Sequence, residues 1–283
     1  MINSKLNDNS PLVLDFDNSL IKSDLLFELL TRLFFKKTYL IPIFLYKLLF
    51  IGKSEAKDYL SNIFYEVDLI LPIRQEIIEF INNEKKKGRR IYLVTGSNER
   101  IVKNYIQKAQ IFKFDDIYGS DKETNLVGAE KTNLIKQKIG NEFTYVGDSY
   151  KDLNVWKESS EIIGINVSKS VTKAIKKMKK PFVIFNDGKN LLKSIIKLTR
   201  IHQWAKNSLI FIPFLLSESL NFQDYIIQLI VGFFVISFLA SSTYIVNDLI
   251  DLFKDRLHWS KKERPLASGD ISIPMGLLLS IIL

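Results

Sequence analysis

Apolar residues follow two rhythms along the chain. Up to about Lys180, short apolar runs alternate with polar stretches of helical spacing. Leu12–Leu14, residues 91–94, 143–146 and 162–165, and Phe182–Phe185 are too short for helices and read as buried strands. Residues 75–87 and 99–109 carry helical periodicity between them. Strands alternating with helices predict an α/β unit built on a mainly parallel sheet. A basic run (Lys173, Lys176, Lys177, Lys179, Lys180) closes this unit.

Beyond Asn207 the apolar runs lengthen. Residues 225–247 give about 20 positions without a charge, enough to cross a hydrocarbon core. Gly232, Ser237, Ser241, Ser242 and Thr243 within it are small residues that let helices approach closely. Residues 208–220, which include Pro213, are expected to form a first span and a hairpin with the second. Residues 271–283 open a third apolar stretch of roughly 13 residues, short of a span, and length alone leads us to expect a truncated C-terminus. The loop at 217–224 carries Glu218 and Asp224 and no base. Lys193, Lys197, Arg200 and Lys206 precede the first span, and Lys254, Arg256, Lys261, Lys262 and Arg264 follow the second. The positive-inside rule puts both basic flanks in the cytoplasm. The expected localisation is therefore the cell inner membrane, multi-pass, with the first unit cytoplasmic. Met1 to Ser10 is polar, so no signal peptide is expected.

Composition narrows the chemistry. The 283 residues hold 40 Lys+Arg against 31 Asp+Glu, a net charge of +9. Membrane topology and anionic headgroups account for most of it, and no motif accompanies it that would make nucleic acid a partner. The lack of cysteine excludes disulfide scaffolds, zinc ribbons, Fe–S clusters and thiol nucleophiles. His202 and His258 are the only histidines. A metal site would use carboxylates and a hard cation such as Mg²⁺.

Carboxylates gather at strand ends. Leu14-Asp15-Phe16-Asp17-Asn18-Ser19 follows the first strand, Val94-Thr95-Gly96-Ser97 ends the second, and Lys131 opens a helix after Gly128-Ala129-Glu130. Gly147-Asp148-Ser149-Tyr150-Lys151-Asp152 ends a further strand. At one sheet edge they would supply a nucleophile, an acid/base, a metal site and a cation for a phosphoryl group. The order D-x-D-x-S, T, K, G-D-S-x-x-D resembles the haloacid dehalogenase (HAD) superfamily of phosphohydrolases over about residues 10–187. The resemblance implies that Asp15 attacks phosphorus and that Asp17 serves as acid and then base. Thr95 and Lys131 would hold the phosphoryl oxygens. Mg²⁺ would sit on Asp15, Asp17 (through its carbonyl) and Asp148, supported by Asp152. Asn18-Ser19 stands where the family usually has Gly-Thr, and Lys136 is a second candidate for the lysine.

Roughly 70 residues separate Asp17 from the second motif, too many for a simple connection. They read as helices, including 25–35 and 39–51, and resemble a cap of about residues 20–88. The very apolar run 33–51 contains Lys36, Lys37, Pro42 and Lys47, which argues against a span. Two readings stay open: its apolar face packs within the cap, or it lies on the bilayer.

At the end of the long apolar stretch stands Asn247-Asp248-Leu249-Ile250-Asp251-Leu252-Phe253-Lys254-Asp255. Asn247, Asp251 and Asp255 recur every four residues and are expected on one helix face. Carboxylates there suit Mg²⁺ bridging a diphosphate, with Lys261 and Arg264 as phosphate-binding cations. N-D-x-x-D-x-x-x-D followed by His258-Trp259-Ser260-Lys261-Lys262-Glu263-Arg264-Pro265-Leu266-Ala267-Ser268-Gly269 resembles the first aspartate-rich motif of UbiA-type membrane prenyltransferases. Trp259 replaces the usual proline. Arg200-Ile201-His202-Gln203-Trp204-Ala205-Lys206-Asn207 is similar to the opening segment of the decaprenyl-phosphate phosphoribosyltransferases, which implies substrate-binding roles for Arg200, Lys206 and Asn207. The family's second aspartate-rich motif does not occur in these residues.

The expected architecture is a HAD-type α/β domain (1–187) with a helical cap, followed by an all-α transmembrane segment (188–283), the start of a UbiA-type bundle. The resemblances imply a Mg²⁺-dependent phosphohydrolase fused to a polyprenyl/phosphoribosyl transferase. The phosphatase would take a phosphorylated substrate, of which a lipid-linked phosphate is one candidate. The transferase would take polyprenyl phosphate and phosphoribosyl diphosphate in the bilayer. The competing expectation is a non-catalytic HAD module that regulates or assembles the membrane part.

Overall fold

The computed structural model describes residues 10–188, 190–216 and 222–283. The chain separates into two compact units, Met1–Gly188 and Lys189–Leu283.

In the first unit β1 (Leu12–Leu14) is followed by four helices, α1 (Leu25–Lys36), α2 (Ile41–Tyr46), α3 (Lys53–Ile63) and α4 (Gln75–Lys86). Then come β2 (Ile91–Asn98), α5 (Glu99–Ala109), β3 (Asp116–Ser120), α6 (Ala129–Lys138) and β4 (Thr144–Gly147). The unit closes with α7 (Leu153–Glu158), β5 (Glu161–Ile165), α8 (Lys169–Lys177) and β6 (Phe182–Phe185). All pairings are parallel, in the order β3-β2-β1-β4-β5-β6. Leu14 pairs with Leu93 on one side and Val146 on the other. Chain order reverses at β1, so a crevice opens beyond its carboxyl end.

Alternation along the strands feeds two cores. Leu12 and Leu14 pack with Ile91, Leu93, Ile77 and Ile81 on one sheet face. Val13 packs with Val94, Tyr145 and the fully buried Trp156 on the other. Each such side chain contributes about 1.5–3 kcal/mol by leaving water.

The sheet has one strand more than its apolar runs predict. β3 is an edge strand whose Asp116 is exposed and whose middle residues are half-buried, so it lacks the apolar run that marks a central strand. β2 continues through the polar Thr95–Asn98, with a register shift against β3.

The stretch 39–51 is helical, as expected, but its hydrogen-bond step changes along it. A tight turn (Thr38–Leu40), α2 and a widened turn (Lys47–Ile51) follow one another, ended by Gly52 at φ 141°. Phe44 is its one buried side chain; Tyr39, Leu49 and Phe50 are 73, 72 and 75% exposed. Most of this face is therefore not packed within its own unit, against the first of the two expectations for it.

The second unit holds α9 (Leu191–Thr199), a 3-10 run (Ile201–Phe211), α10 (Ile212–Leu215), α11 (Phe222–Ile250), α12 (Leu252–Leu257) and α13 (Ile273–Ile282). Among the described residues one helix is long and apolar enough to cross a membrane, Tyr225–Ile250, with mean hydropathy 2.2. The expected first span is corrected in its described part to the 3-10 run and the four-residue α10. Pro213 sits in the first turn of α10, where its missing N–H costs no helical hydrogen bond. Residues 217–221 of the connecting loop lie outside the described residues, Glu218 among them.

Small polar residues of α11 hold its neighbours. Ser241 Oγ donates to Thr199 O at 2.7 Å and Ser242 Oγ to Ser280 O at 2.5 Å. Asn207 Nδ2 donates to Ser237 Oγ at 3.0 Å.

Candidate active site

Asp15 follows β1 directly, and its buried carboxylate is fixed twice through Oδ1. The Phe16 N–H donates to it at 2.8 Å and Lys131 Nζ at 3.0 Å. Burial pushes the Asp15 carboxyl up to about 6, with Lys131 opposing and Asp152 adding to the rise. Lys131 stands in the first turn of α6, buried, and also donates to the Tyr145 hydroxyl at 3.0 Å. Burial works against its charge, but Asp15 and Asp152 prevail and hold it above the ordinary lysine range. Lys136, the other candidate, pairs with Glu158.

The turn after Asp15 aims Asp17 elsewhere. Asn18 takes the left-handed conformation (φ 54°). Asparagine tolerates that region better than most residues, so the turn closes here without a glycine. The buried Arg74 clamps the turn, with Nε donating to Ser19 O and Nη2 to Asn18 O, both at 3.1 Å. Asp17 Oδ1 accepts from the Leu25 N–H at 2.8 Å, and Oδ2 accepts from Ser97 Oγ at 2.7 Å and Thr95 Oγ1 at 3.5 Å. Burial, then Asp24 and Asp15, raise this carboxyl to about 7. A carboxyl that titrates near neutrality can both give and take a proton.

Asp148 and Asp152 follow β4. Tyr145 OH donates to Asp152 Oδ1 at 2.8 Å, while the N–H groups of Asp148 and Ser149 donate to Oδ2 at 3.1 and 3.0 Å. A Cβ on Gly147 would come within 2.7 Å of the Asp152 carboxylate, so this close loop needs glycine. Burial, then Asp152 and Asp15, raise Asp148 to about 8.

Among the described residues, Asp15, Asp148 and Asp152 form the one group of three such side chains whose ligand atoms lie within 4.8 Å of one another. The Asp17 carboxylate is not in it. An all-oxygen donor set with surplus negative charge fits Mg²⁺.

Three participants escaped sequence reasoning. Ser97 shares a strand face with Thr95, two residues on, and gives Asp17 its shorter bond. Tyr145 links Lys131 to Asp152. Lys57, on α3, donates to Gly96 O at 3.1 Å and Asn125 Oδ1 at 2.9 Å. Burial lowers its pKa, with Asp17 opposing. Two further cavities, of about 560 and 390 Å³, contain none of these side chains.

The carboxylates of the second unit are arranged otherwise. Asp248 and Asp255 are buried, Asn247 is exposed and Asp251 half-buried. Arg200 Nη2 donates to Asp248 Oδ1 at 2.6 Å, and Arg264 Nη1 bridges Asp248 Oδ1 (3.0 Å) and Asp255 Oδ2 (2.7 Å). The Arg200 guanidinium also lies 4.7 Å over the Tyr244 ring. Asp251 is 3.8 Å from Lys254. The expected shared face of Asn247, Asp251 and Asp255 is therefore corrected. Steps of four drift by about 40° each on a helix, whereas a step of seven returns within about 20°. That selects Asp248 with Asp255. Lys206 is exposed, and the Lys261 N–H reaches His258 Nδ1 at 3.3 Å.

No protein-family model matches the chain. An uncharacterized protein of Sinorhizobium fredii, y4nM, is 30% identical over 280 residues, 96% of this chain and 52% of that protein. The decaprenyl-phosphate phosphoribosyltransferase of Corynebacterium glutamicum is 36% identical over 97 residues, 34% of this chain and 29% of that enzyme. The chain thus spans about half or less of the length of these relatives. A phosphoserine phosphohydrolase-like protein of Francisella tularensis has a structure that superposes with TM-score 0.41 and 16% identity, covering 62% of this chain and 94% of that one. A phosphoserine phosphatase and HAD-family hydrolases are among the solved structures that resemble the chain over 62% of its length, and decaprenyl-phosphate phosphoribosyltransferases are among the relatives matched over about 30% of it.

Proposed function

We propose that the first unit is a Mg²⁺-dependent phosphohydrolase working through an aspartyl phosphate on Asp15. The observation that carries this reading is the convergence of Asp15, Lys131, Asp17 with its Thr95 and Ser97 hydroxyls, and Asp148 at the carboxyl ends of β1, β2 and β4. Oδ1 of Asp15 receives both hydrogen bonds described above, which leaves Oδ2 to form the bond to phosphorus. As the phosphorus–oxygen ester bond breaks, protonated Asp17 gives its proton to the leaving oxygen. A water then attacks the acyl phosphate, Asp17 takes back a proton, and inorganic phosphate leaves. Lys131 faces the charge that builds on the phosphoryl oxygens, and Tyr145 fixes it there. Asp15, Asp148 and, less directly, Asp152 would hold Mg²⁺, whose charge offsets repulsion between carboxylates and phosphate.

The second unit, in this reading, is part of a UbiA-type polyprenyl/phosphoribosyl transferase of the inner membrane. It is multi-pass, with the phosphohydrolase on the cytoplasmic side. Its support is the motif run from Arg200 to Gly269 and the similarity to decaprenyl-phosphate phosphoribosyltransferases. Polyprenyl phosphate and phosphoribosyl diphosphate are then its substrates. The pairing of activities points to lipid-linked sugar metabolism, with a phosphorylated lipid-linked product as the phosphatase substrate.

The test is hydrolysis of p-nitrophenyl phosphate by the purified chain in detergent, with and without Mg²⁺. Activity should require the metal and fall by about 10³-fold or more in Asp15→Asn. Wild-type turnover in that variant would refute the aspartyl-phosphate route. No metal-dependent turnover in the parent would favour a non-catalytic module.

A further inference from the structure

The cap presents an apolar surface that the phosphohydrolase chemistry does not use. Between Tyr39 and Ile51, seven large side chains are at least 44% exposed: Tyr39, Ile43, Leu45, Tyr46, Leu49, Phe50 and Ile51. Phe34, at the end of α1, extends the patch. The apolar helical stretch Thr38–Ile51 is too short to cross a bilayer. It is anchored to the first unit by Phe44, which is 6% exposed.

Charge defines the rest of the surface. No Asp or Glu occurs from residue 29 to 54, while Arg32, Lys36, Lys37, Lys47 and Lys53 do. Lys47, the one cation inside the apolar stretch, is turned to the protein. Its Nζ lies 2.7 Å from Glu55 and 5.3 Å over the Tyr59 ring. The apolar stretch is therefore flanked by the exposed Lys36 before it and Lys53 after it, while Lys37 lies 5.5 Å over the Phe64 ring. An apolar face with cationic borders and aromatic side chains matches the headgroup–acyl boundary of an anionic membrane. A second copy matches less well, because two such faces would bring lysines together without an acid between them. The chain itself carries a helix of membrane length, so a bilayer is within covalent reach.

We infer that residues 34–53 of the cap form a docking surface for an anionic lipid bilayer, with the apolar side chains immersed at the headgroup boundary and the flanking lysines on the phosphates. α3 begins directly after this surface and carries Lys57 to Gly96 and Asn125 beside the phosphoryl site, so docking would also fix the orientation of the cap over that site. The inference does not depend on the proposed hydrolysis.

The chain has no cysteine, so single labels can be placed cleanly. Full-length Phe50→Cys and Leu49→Cys, and Lys173→Cys as a control on α8, are labelled with an environment-sensitive fluorophore. They are reconstituted in vesicles of phosphatidylglycerol with phosphatidylcholine, or of phosphatidylcholine alone. Nitroxide lipids with the spin label at about 5–10 Å depth should quench positions 49 and 50 about twofold or more and leave position 173 unquenched. Lys36→Glu combined with Lys53→Glu should reduce that quenching, as should removal of phosphatidylglycerol. Positions 49 and 50 open to aqueous iodide and untouched by lipid nitroxides would overturn the inference. Shielding from both quenchers would overturn it in favour of a protein cover. Label self-quenching that rises with protein density would overturn it in favour of a second copy.

Discussion

The two carboxylate clusters of this chain are built from the same residue types and differ in charge balance. In the first unit Asp15, Asp17, Asp148 and Asp152 share one buried cation, Lys131. In the second, Asp248 and Asp255 face Arg200 and Arg264, two charges against two. The first cluster has excess negative charge, and it shows in carboxyls raised to about 6, 7 and 8. It is ready for a divalent cation, a proton, or both. The second is already neutralised by protein. A metal–diphosphate would have to compete with Arg264, and an arginine released from two aspartates is then free to bind phosphate. An unbalanced cluster is a site in waiting, whereas a balanced one must open first.

Removing a carboxylate from the unbalanced cluster should have the largest effect. Asp148 is half-buried and is not held in the way Asp152 is, so it can turn to a cation. Asp148→Asn should raise the Mg²⁺ concentration for half-maximal hydrolysis by about 100-fold. A Mg²⁺ titration of phosphatase rate measures this, and an unchanged midpoint would place the metal elsewhere.

The same excess charge makes stability depend on pH. The folded-state values of Asp15, Asp17 and Asp148 lie above the ordinary carboxyl range, so the folded chain binds more protons than the unfolded one between about pH 4 and 8. Stability is then greatest below the unfolded values and declines as pH rises through 6, 7 and 8. Without divalent cation, the Tm of the first unit should fall steadily from pH 5 to 8. Mg²⁺ should flatten that slope by holding the deprotonated forms, and a metal-free Tm that rises with pH would contradict the charge balance described here.

How far each cluster was readable depends on what positions it. Asp15, Asp17, Lys131 and Asp148 stand just past strand ends or in a helix's first turn, Thr95 lies in the carboxyl half of β2, and a parallel sheet brings such positions to one edge. Their placement follows from order along the chain. Ser97 was harder, because β2 runs past its apolar stretch into the polar Thr95–Asn98, where no apolar residue marks the strand. Tyr145 reads as one more core residue, and only its hydroxyl between Lys131 and Asp152 separates it from its neighbours. Lys57 depends on how α3 packs against the sheet edge, which no local pattern encodes. At the second cluster, counting by fours chose Asn247, Asp251 and Asp255, while the helix turns Asp248 and Asp255 inward and leaves Asn247 exposed.

The balanced cluster offers the opposite behaviour to the first. Arg264→Ala leaves Asp248 with Arg200 alone and Asp255 without its bridge. The arginine side chain is 28% exposed, so the loss is smaller than for a fully buried pair, about 1–2 kcal/mol. Thermal unfolding of the second unit should shift down by the same amount with and without Mg²⁺. A shift that Mg²⁺ reverses would mean that the arginine had been occupying a metal position.

The smallest effect tests whether Asp17 is tuned by its hydroxyl neighbours. Ser97 Oγ donates to the Asp17 carboxylate at 2.7 Å, a bond that favours the charged form and lowers the value that burial has raised. Ser97→Ala removes that donor and leaves Thr95 Oγ1 at 3.5 Å as the remaining hydroxyl. The Asp17 carboxyl should then titrate higher, so that the acid form persists to higher pH. In the pH profile of kcat, the limb assigned to the general acid should move in the alkaline direction by less than about one unit. The rate at the optimum should change only a few-fold, because the proton donor itself is intact. Thr95→Ser, which keeps a hydroxyl, should leave the limb in place. A profile that moves toward acid in Ser97→Ala would mean that the serine hydroxyl accepts from a protonated Asp17 instead of donating to its carboxylate, and the order of proton transfers would have to be redrawn.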